Sequence, residues 1–139
     1  MDAPLGIERI VDVDLPDEEM WRLIATADGW QEWLVDTADV RVAEGGGGVV
    51  VDDGVERLVQ IGHVDEGRSI SFSWAEPGDL VGSVVTIRLE HDEQQRRRLV
   101  IIEQWPSGVV CADCPLRSAD RWDLRACLLC IASRSTCSV

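Results

Sequence analysis

The 139-residue chain has no lysine, asparagine or tyrosine, a single phenylalanine (Phe72) and two histidines, His63 and His91. With so few general acid–base groups, and no nucleophile set in a motif with its base, the sequence carries no signature of covalent catalysis. Each histidine reads as a surface or hydrogen-bonded residue near a strand end rather than as a general base. Without a lysine or a following helix, the glycine run Gly45 to Gly48 is read as a hairpin turn and not as a phosphate loop. Positive charge is scarce too, since 13 arginines face 26 acidic residues for a formal net charge of -13. That balance repels phosphate backbones and excludes nucleic acid as the expected partner, leaving Arg96-Arg97-Arg98 as a solvated hairpin end. No run of about 18 apolar residues occurs, and Met1-Asp2-Ala3-Pro4 does not lead a basic segment into an apolar one. A cytoplasmic protein with no membrane partner is expected.

What is present suits one globular domain over residues 1–139, because 45% hydrophobic content beside 28% charged residues is far from a disordered composition. The five cysteines crowd into residues 111–137, and four of them follow Cys111-x2-Cys114-x12-Cys127-x2-Cys130. Two thiol pairs at that separation can close a tetrahedral shell around zinc or a similar soft metal with no position left for water, which makes such a site structural or sensory. Packed free thiols and disulfides are the alternatives, the last disfavoured because nothing marks the chain as exported. Cys137 is read as a bystander.

Along the chain, Ile7 to Val13 alternates like a strand, and Leu15-Pro16-Asp17-Glu18-Glu19 reads as a helix start with proline and acids in its first turn. Met20, Leu23, Ile24 and Ala27 set the apolar stripe of a helix that Asp28-Gly29 should end, with another short turn of helix from Trp30 to Leu34. From there to Trp105 the pattern is a meander of strands. Ile70, Phe72 and Trp74 face one way and Ser69, Ser71 and Ser73 the other, and Val85, Ile87 and Leu89 repeat the contrast against Thr86, Arg88 and Glu90. Ser118 can cap a last helix to about Ser135, apolar around most of its circumference, with Arg121 and Arg125 marking its wet side.

The order and spacing of several short patterns resemble the START-like (SRPBCC) superfamily, in the branch similar to the C-terminal domain of the activator of heat-shock-protein-90 ATPase. They are Ile7-Glu8-Arg9-Ile10-Val11 before Pro16, Met20-Trp21-Arg22-Leu23-Ile24-Ala25, Trp30-Gln31-Glu32-Trp33-Leu34, Ile70-Ser71-Phe72-Ser73-Trp74, Val84-Val85-Thr86-Ile87-Arg88-Leu89 and Arg121-Trp122-Asp123-Leu124-Arg125. The resemblance covers nearly the whole chain. It implies an α+β helix-grip fold: a curved antiparallel sheet wrapped around a long C-terminal helix, two short helices after the first strand, and an apolar cavity between sheet and helix. Trp33, Phe72, Trp74, Leu89, Trp105 and Trp122 would wall that cavity, although the same side chains also suit an ordinary small core. Glu103 and Arg88 are candidate polar groups in it, with surface pairing as the alternative.

The cysteine quartet departs from the family pattern. Three functions follow: a noncatalytic binding domain for a small apolar ligand, with or without a four-cysteine metal site; a cochaperone-like partner of a protein ATPase; and an enzyme like the superfamily's aromatases and cyclases, which act on polyketides. The first is favoured, as a monomer or homodimer.

Overall fold

The computed structural model describes residues 6–78 and 82–105 and positions 122, 123 and 125. Strand β1 (Gly6–Asp12) leads into helices α1 (Asp17–Ala25) and α2 (Ala27–Trp33), and six strands follow. These are β2 (Thr37–Val40), β3 (Gly47–Asp52), β4 (Val55–Asp65), β5 (Ser69–Ala75), β6 (Ser83–His91) and β7 (Arg97–Gln104). They form one antiparallel sheet in the order β1-β7-β6-β5-β4-β3-β2. Consecutive strands pair from β2 to β7, as a meander should, and β1 closes onto β7. No helix among the described residues is long and apolar enough to cross a membrane.

The sequence reading misplaces the boundary between the first two helices. Asp28 and Gly29 lie inside the first turn of α2, and the chain breaks at Thr26 instead. Thr26 is extended (φ -133°, ψ 151°); its hydroxyl donates to the Arg22 carbonyl at 2.7 Å and accepts the Gly29 N–H at 2.9 Å, so one side chain ends α1 and caps α2. Gly29 serves close approach rather than termination, because a Cβ there would lie 2.1 Å from the Arg22 carbonyl oxygen and 2.7 Å from the Leu23 Cα. Gly29→Ala should therefore lose stability by about 3 kcal/mol despite alanine's higher helix propensity. Gly54→Ala, in open space at φ +75°, should cost only about 1 kcal/mol, and urea titration of both variants checks the contrast.

The glycine run is only partly a turn. Gly45 has φ +76°, but Gly47 and Gly48 already belong to β3, where a Cβ on Gly48 would meet the Asp39 carbonyl oxygen at 1.9 Å. Asp53 (φ 52°) and Gly54 form the two-residue link between β3 and β4, as suits an Asp-Gly hairpin whose two central residues need positive φ. In β4 the register slips between Ile61 and His63, which leaves Gly62 as the extra residue of a bulge and bends this long strand. One face of the sheet is dry. Val50, Val59, Ile61, Ile70, Phe72, Trp74, Val85, Ile87, Leu89, Leu99 and Ile101 point into the core with Met20, Leu23 and Ile24 of α1 and Trp30 and Trp33 of α2. The indoles of α2 are tied back to α1 through Trp33 Nε1 on the Leu23 carbonyl (2.8 Å) and Trp30 Nε1 on that of Ile24 (2.5 Å).

The dry face is concave. Positions 122, 123 and 125 are helical; Asp123 pairs with Arg9 of β1 at 2.8 Å, while Arg125 pairs with Asp52 at the end of β3. In a flat sheet β1 and β3 would stand about 24 Å apart, five strand spacings, whereas two residues of helix advance only about 3 Å. The sheet curls around this turn to bring both strands within reach, consistent with a helix-grip-like α+β fold. The expected length of the C-terminal helix, to Ser135, falls outside the described residues.

Candidate ligand site on the concave face

Alternation in β5 places Phe72 and Trp74 side by side on the dry face, and α2 and the Trp122 turn bring further rings against them. Trp30 and Phe72 lie 4.8 Å apart between centroids, Phe72 and Trp74 meet edge to face at 5.3 Å, and Trp74 and Trp122 stack at 6.0 Å with 24° between planes. The Arg57 guanidinium stands 5.0 Å from the Trp74 ring centroid.

At the Trp122 end of this row sits a carboxylate. Glu103 is 1% exposed, because in β7 it follows the inward series Leu99, Ile101, Glu103. Its Oε2 accepts bonds from Trp74 Nε1 (2.9 Å) and the Ser83 hydroxyl (2.5 Å), and its Oε1 accepts one from Trp122 Nε1 (3.0 Å). Trp74 Nε1 also reaches Ser83 Oγ at 3.1 Å. A carboxylate survives in such an apolar setting only with donors of this kind around it.

A second polar group clasps the helical turn to β3. Asp52, 3% exposed, takes Arg125 on one carboxylate oxygen and Arg57 on the other, the latter at 3.4 Å. Arg125 also reaches Asp36 at 3.2 Å, and Arg57 reaches Glu76 at 4.0 Å, so signs alternate along the chain of five. The Asp36 carboxyl is held below the usual carboxylate range, first by the Asp53 backbone N–H at 2.8 Å and next by Arg125, against a smaller cost of burial. Since the folded-state value is depressed, this contribution is complete above about pH 4 and lost as the pH falls through the lower, folded-state value. Acid titration of stability should accordingly show a shallower decline below pH 4 in Asp36→Asn than in the parent chain.

Of the six expected wall residues, Phe72, Trp74 and Trp122 belong to this row of rings, and Trp33, Leu89 and Trp105 are buried elsewhere. Glu103 faces inward as a pocket group should. Arg88 does not: on the opposite face of β6, it pairs at the surface with Glu90 at 3.6 Å. Arg125, expected on the wet side of its helix, is 6% exposed, because the curled sheet carries Asp52 up to it. Trp30, Ser83, Asp52 and Arg57 were not expected at the site. The inward parity of Ser83 with Val85 was a signal for one of them, but Asp52 sits in a run that reads as turn chemistry. His63 pairs with Glu44 (3.4 Å) and His91 with Asp17 (3.1 Å), both exposed, as the sequence suggested. Arg96 and Arg98 both approach Asp92 at the hairpin end, while Arg97 binds Asp17 at the start of α1. Cys111, Cys114, Cys127, Cys130 and Cys137 lie outside the described residues, and among the described residues no cluster of His, Cys, Asp and Glu is placed to hold a metal.

A separate depression of about 470 Å³ opens between β3, β4, β5 and the start of β6, lined by Gly45 to Gly47, Leu58, Gln60, Ser73, Ala75 and Gly82 with Val59 and Trp74. Leu58, 53% exposed, lies opposite Ala75, and Val84, 42% exposed, lies opposite Ser73.

No protein-family model matches the sequence, and no curated protein matches it. Solved structures do. DynU16, from the dynemicin biosynthetic locus, superposes with a TM-score of 0.76 at 17% identity over 94% of this chain and 48% of its own, so the present chain spans about half of DynU16. The Aha1 dimer from Colwellia psychrerythraea gives 0.71 at 14% identity over 93% of both chains. Protein BH1534 of Bacillus halodurans gives 0.73 at 18% identity over 94% of this chain and 98% of its own. The chain has the START-like (SRPBCC) fold, and its architecture is of the kind seen in Aha1.

Proposed function

We propose that the protein is a noncatalytic binding domain for a small apolar molecule, held between the concave sheet face and the segment that carries Trp122. The supporting observation is the row Trp30, Phe72, Trp74 and Trp122 along a curled face with one oriented carboxylate at its end. Mostly apolar walls with few fixed polar groups are what small-molecule sites require. Trp33 and Leu89, outside the row but in the same buried cluster, extend the apolar surroundings, while Trp105 is buried apart from that cluster. Native mass spectrometry of freshly purified protein, followed by titration with an environment-sensitive apolar dye, tests the reading. A copurified small molecule that competes with saturable dye binding supports it; a bare chain that binds no dye counts against it.

The same reading includes a zinc or soft-metal site at Cys111, Cys114, Cys127 and Cys130, resting on their spacing alone. About one zinc per chain is expected by elemental analysis, lost on combining Cys127→Ser with Cys130→Ser. Metal-free protein with every thiol titratable would remove the site.

The depression beside exposed Leu58 and Val84 favours a second reading, a cochaperone-like protein partner of an ATPase, because apolar side chains grouped on a sheet's outer face suit a docking surface. Stimulation of a chaperone ATPase that Leu58→Asp abolishes would establish it. A cyclase-like enzyme has less support, since both histidines pair at the exposed surface and away from Glu103.

A further inference from the structure

We propose that Trp122 occupies, as an internal stand-in, the subsite in which the protein holds its ligand, and that the ligand is a flat ring system with an N–H or O–H donor at its edge. This rests on the binding-domain reading above and narrows it to a chemical class. The two oxygens of Glu103 are served from different places. Oε2 takes its bonds from Trp74 and Ser83, which the neighbouring strands β5 and β6 carry. Among the described residues, the donor to Oε1 is Trp122, which the sheet does not carry.

The sheet by itself therefore assembles a flat wall, the Trp74 ring, beside an acceptor held at a fixed angle by its own hydrogen bonds. Arg57, anchored on Asp52, covers the Trp74 ring and helps fix its orientation. Trp122 meets both demands at once, stacking at 6.0 Å and 24° while its ring N–H lies 3.0 Å from Oε1. A molecule with a ring of similar size and an edge donor makes the same two contacts, whereas an aliphatic chain makes neither. Exchanging one buried ring for another leaves the apolar contribution nearly unchanged, so selection falls to the bond on Glu103. Internal competition has a distinctive consequence. Removing Trp122 should tighten ligand binding, whereas removing an ordinary wall residue should weaken it.

Indole and 1-methylindole, which share a ring system but differ in the donor, are titrated calorimetrically into the parent chain, Trp122→Ala and Trp122→Ala/Glu103→Leu. The expected result is at least tenfold tighter indole binding by Trp122→Ala than by the parent, a preference of at least tenfold for indole over 1-methylindole, and loss of that preference in the double variant. Equal affinity for the two probes, no saturable binding, or weaker indole binding by Trp122→Ala than by the parent each overturns the proposal. If Trp122→Ala does not fold, the indole N–H resonance of Trp122 in the parent decides: saturating indole should shift it and remove its protection from solvent exchange, and an unmoved, protected resonance overturns the proposal. A copurified ligand without a ring donor would sustain the binding-domain reading while sinking this one.

Discussion

Asp52→Ala is expected to destabilise the fold by about 3–5 kcal/mol, the cost of removing one partner from a buried charge pair and leaving the other uncompensated. Arg125 is 6% exposed and Asp52 3%, so little water reaches either to replace the lost partner. The remaining contact of Arg125, to the half-exposed Asp36 at 3.2 Å, cannot make up the difference. Arg57 meets Asp52 only at 3.4 Å, a longer contact than that of Arg125, so the loss should fall mainly on the Arg125 side. Arg125→Met/Asp52→Leu should recover most of the stability, because apolar replacement of a buried pair is often neutral or better. Urea denaturation of the parent, the single variant and the double variant measures the cycle. Equal losses in the single and double variants would mean that Asp52 matters through its place in the hairpin, not through the pair. Moderate salt should weaken the exposed Arg97–Asp17 contact but hardly touch this one, so the stability gap between parent and Asp52→Ala should persist in 0.5 M salt, a concentration chosen to be on the order of strong screening.

That clasp also shows what the sequence made legible and what it did not. Strands β5 and β6 announce themselves because one face is dry: Ile70, Phe72 and Trp74 are buried, as are Val85, Ile87 and Leu89, and period two is the only regular conformation that segregates them. The two short helices were legible from their apolar spacing, but not their junction. Asp28-Gly29 looks like a stop signal locally, while the observed stop at Thr26 depends on how tightly α2 crosses α1. Asp52 was illegible for a related reason. In Val51-Asp52-Asp53-Gly54 it resembles turn chemistry, and it becomes a buried counterion only because the sheet curls until β3 meets the turn carrying Arg125. Curvature is a property of bulges such as Gly62 and of the whole strand set, and no local window contains it. Glu103 was legible as an inward position by parity with Leu99 and Ile101. Its partners, from β5, β6 and the Trp122 turn, were not, since they converge only in three dimensions.

Those partners make Glu103 the position where chemically small changes should have graded effects. Among the described residues, Glu103→Leu removes the acceptor for three buried donors, two indole N–H groups and the Ser83 hydroxyl, and should cost about 3–5 kcal/mol, since each unsatisfied donor carries a penalty of roughly 1–3 kcal/mol and the hydroxyl can turn toward another acceptor. Glu103→Gln has nearly the same shape, yet it cannot be neutral. If the amide oxygen stays toward Trp74 and Ser83, the NH2 group confronts the Trp122 N–H; if the amide flips, its oxygen satisfies Trp122 while the NH2 confronts the Trp74 N–H. Ser83 tolerates either arrangement because a hydroxyl both donates and accepts, but an indole N–H only donates. One indole therefore loses its bond to this side chain in each orientation, and the loss should be about 1–3 kcal/mol, between the parent and Glu103→Leu. Indole N–H chemical shifts in the Gln variant identify which indole has lost it. Movement confined to Trp122 would mean that the sheet-borne half of the network, Trp74 with Ser83, is the more firmly held, the order expected if Trp122 is the replaceable member.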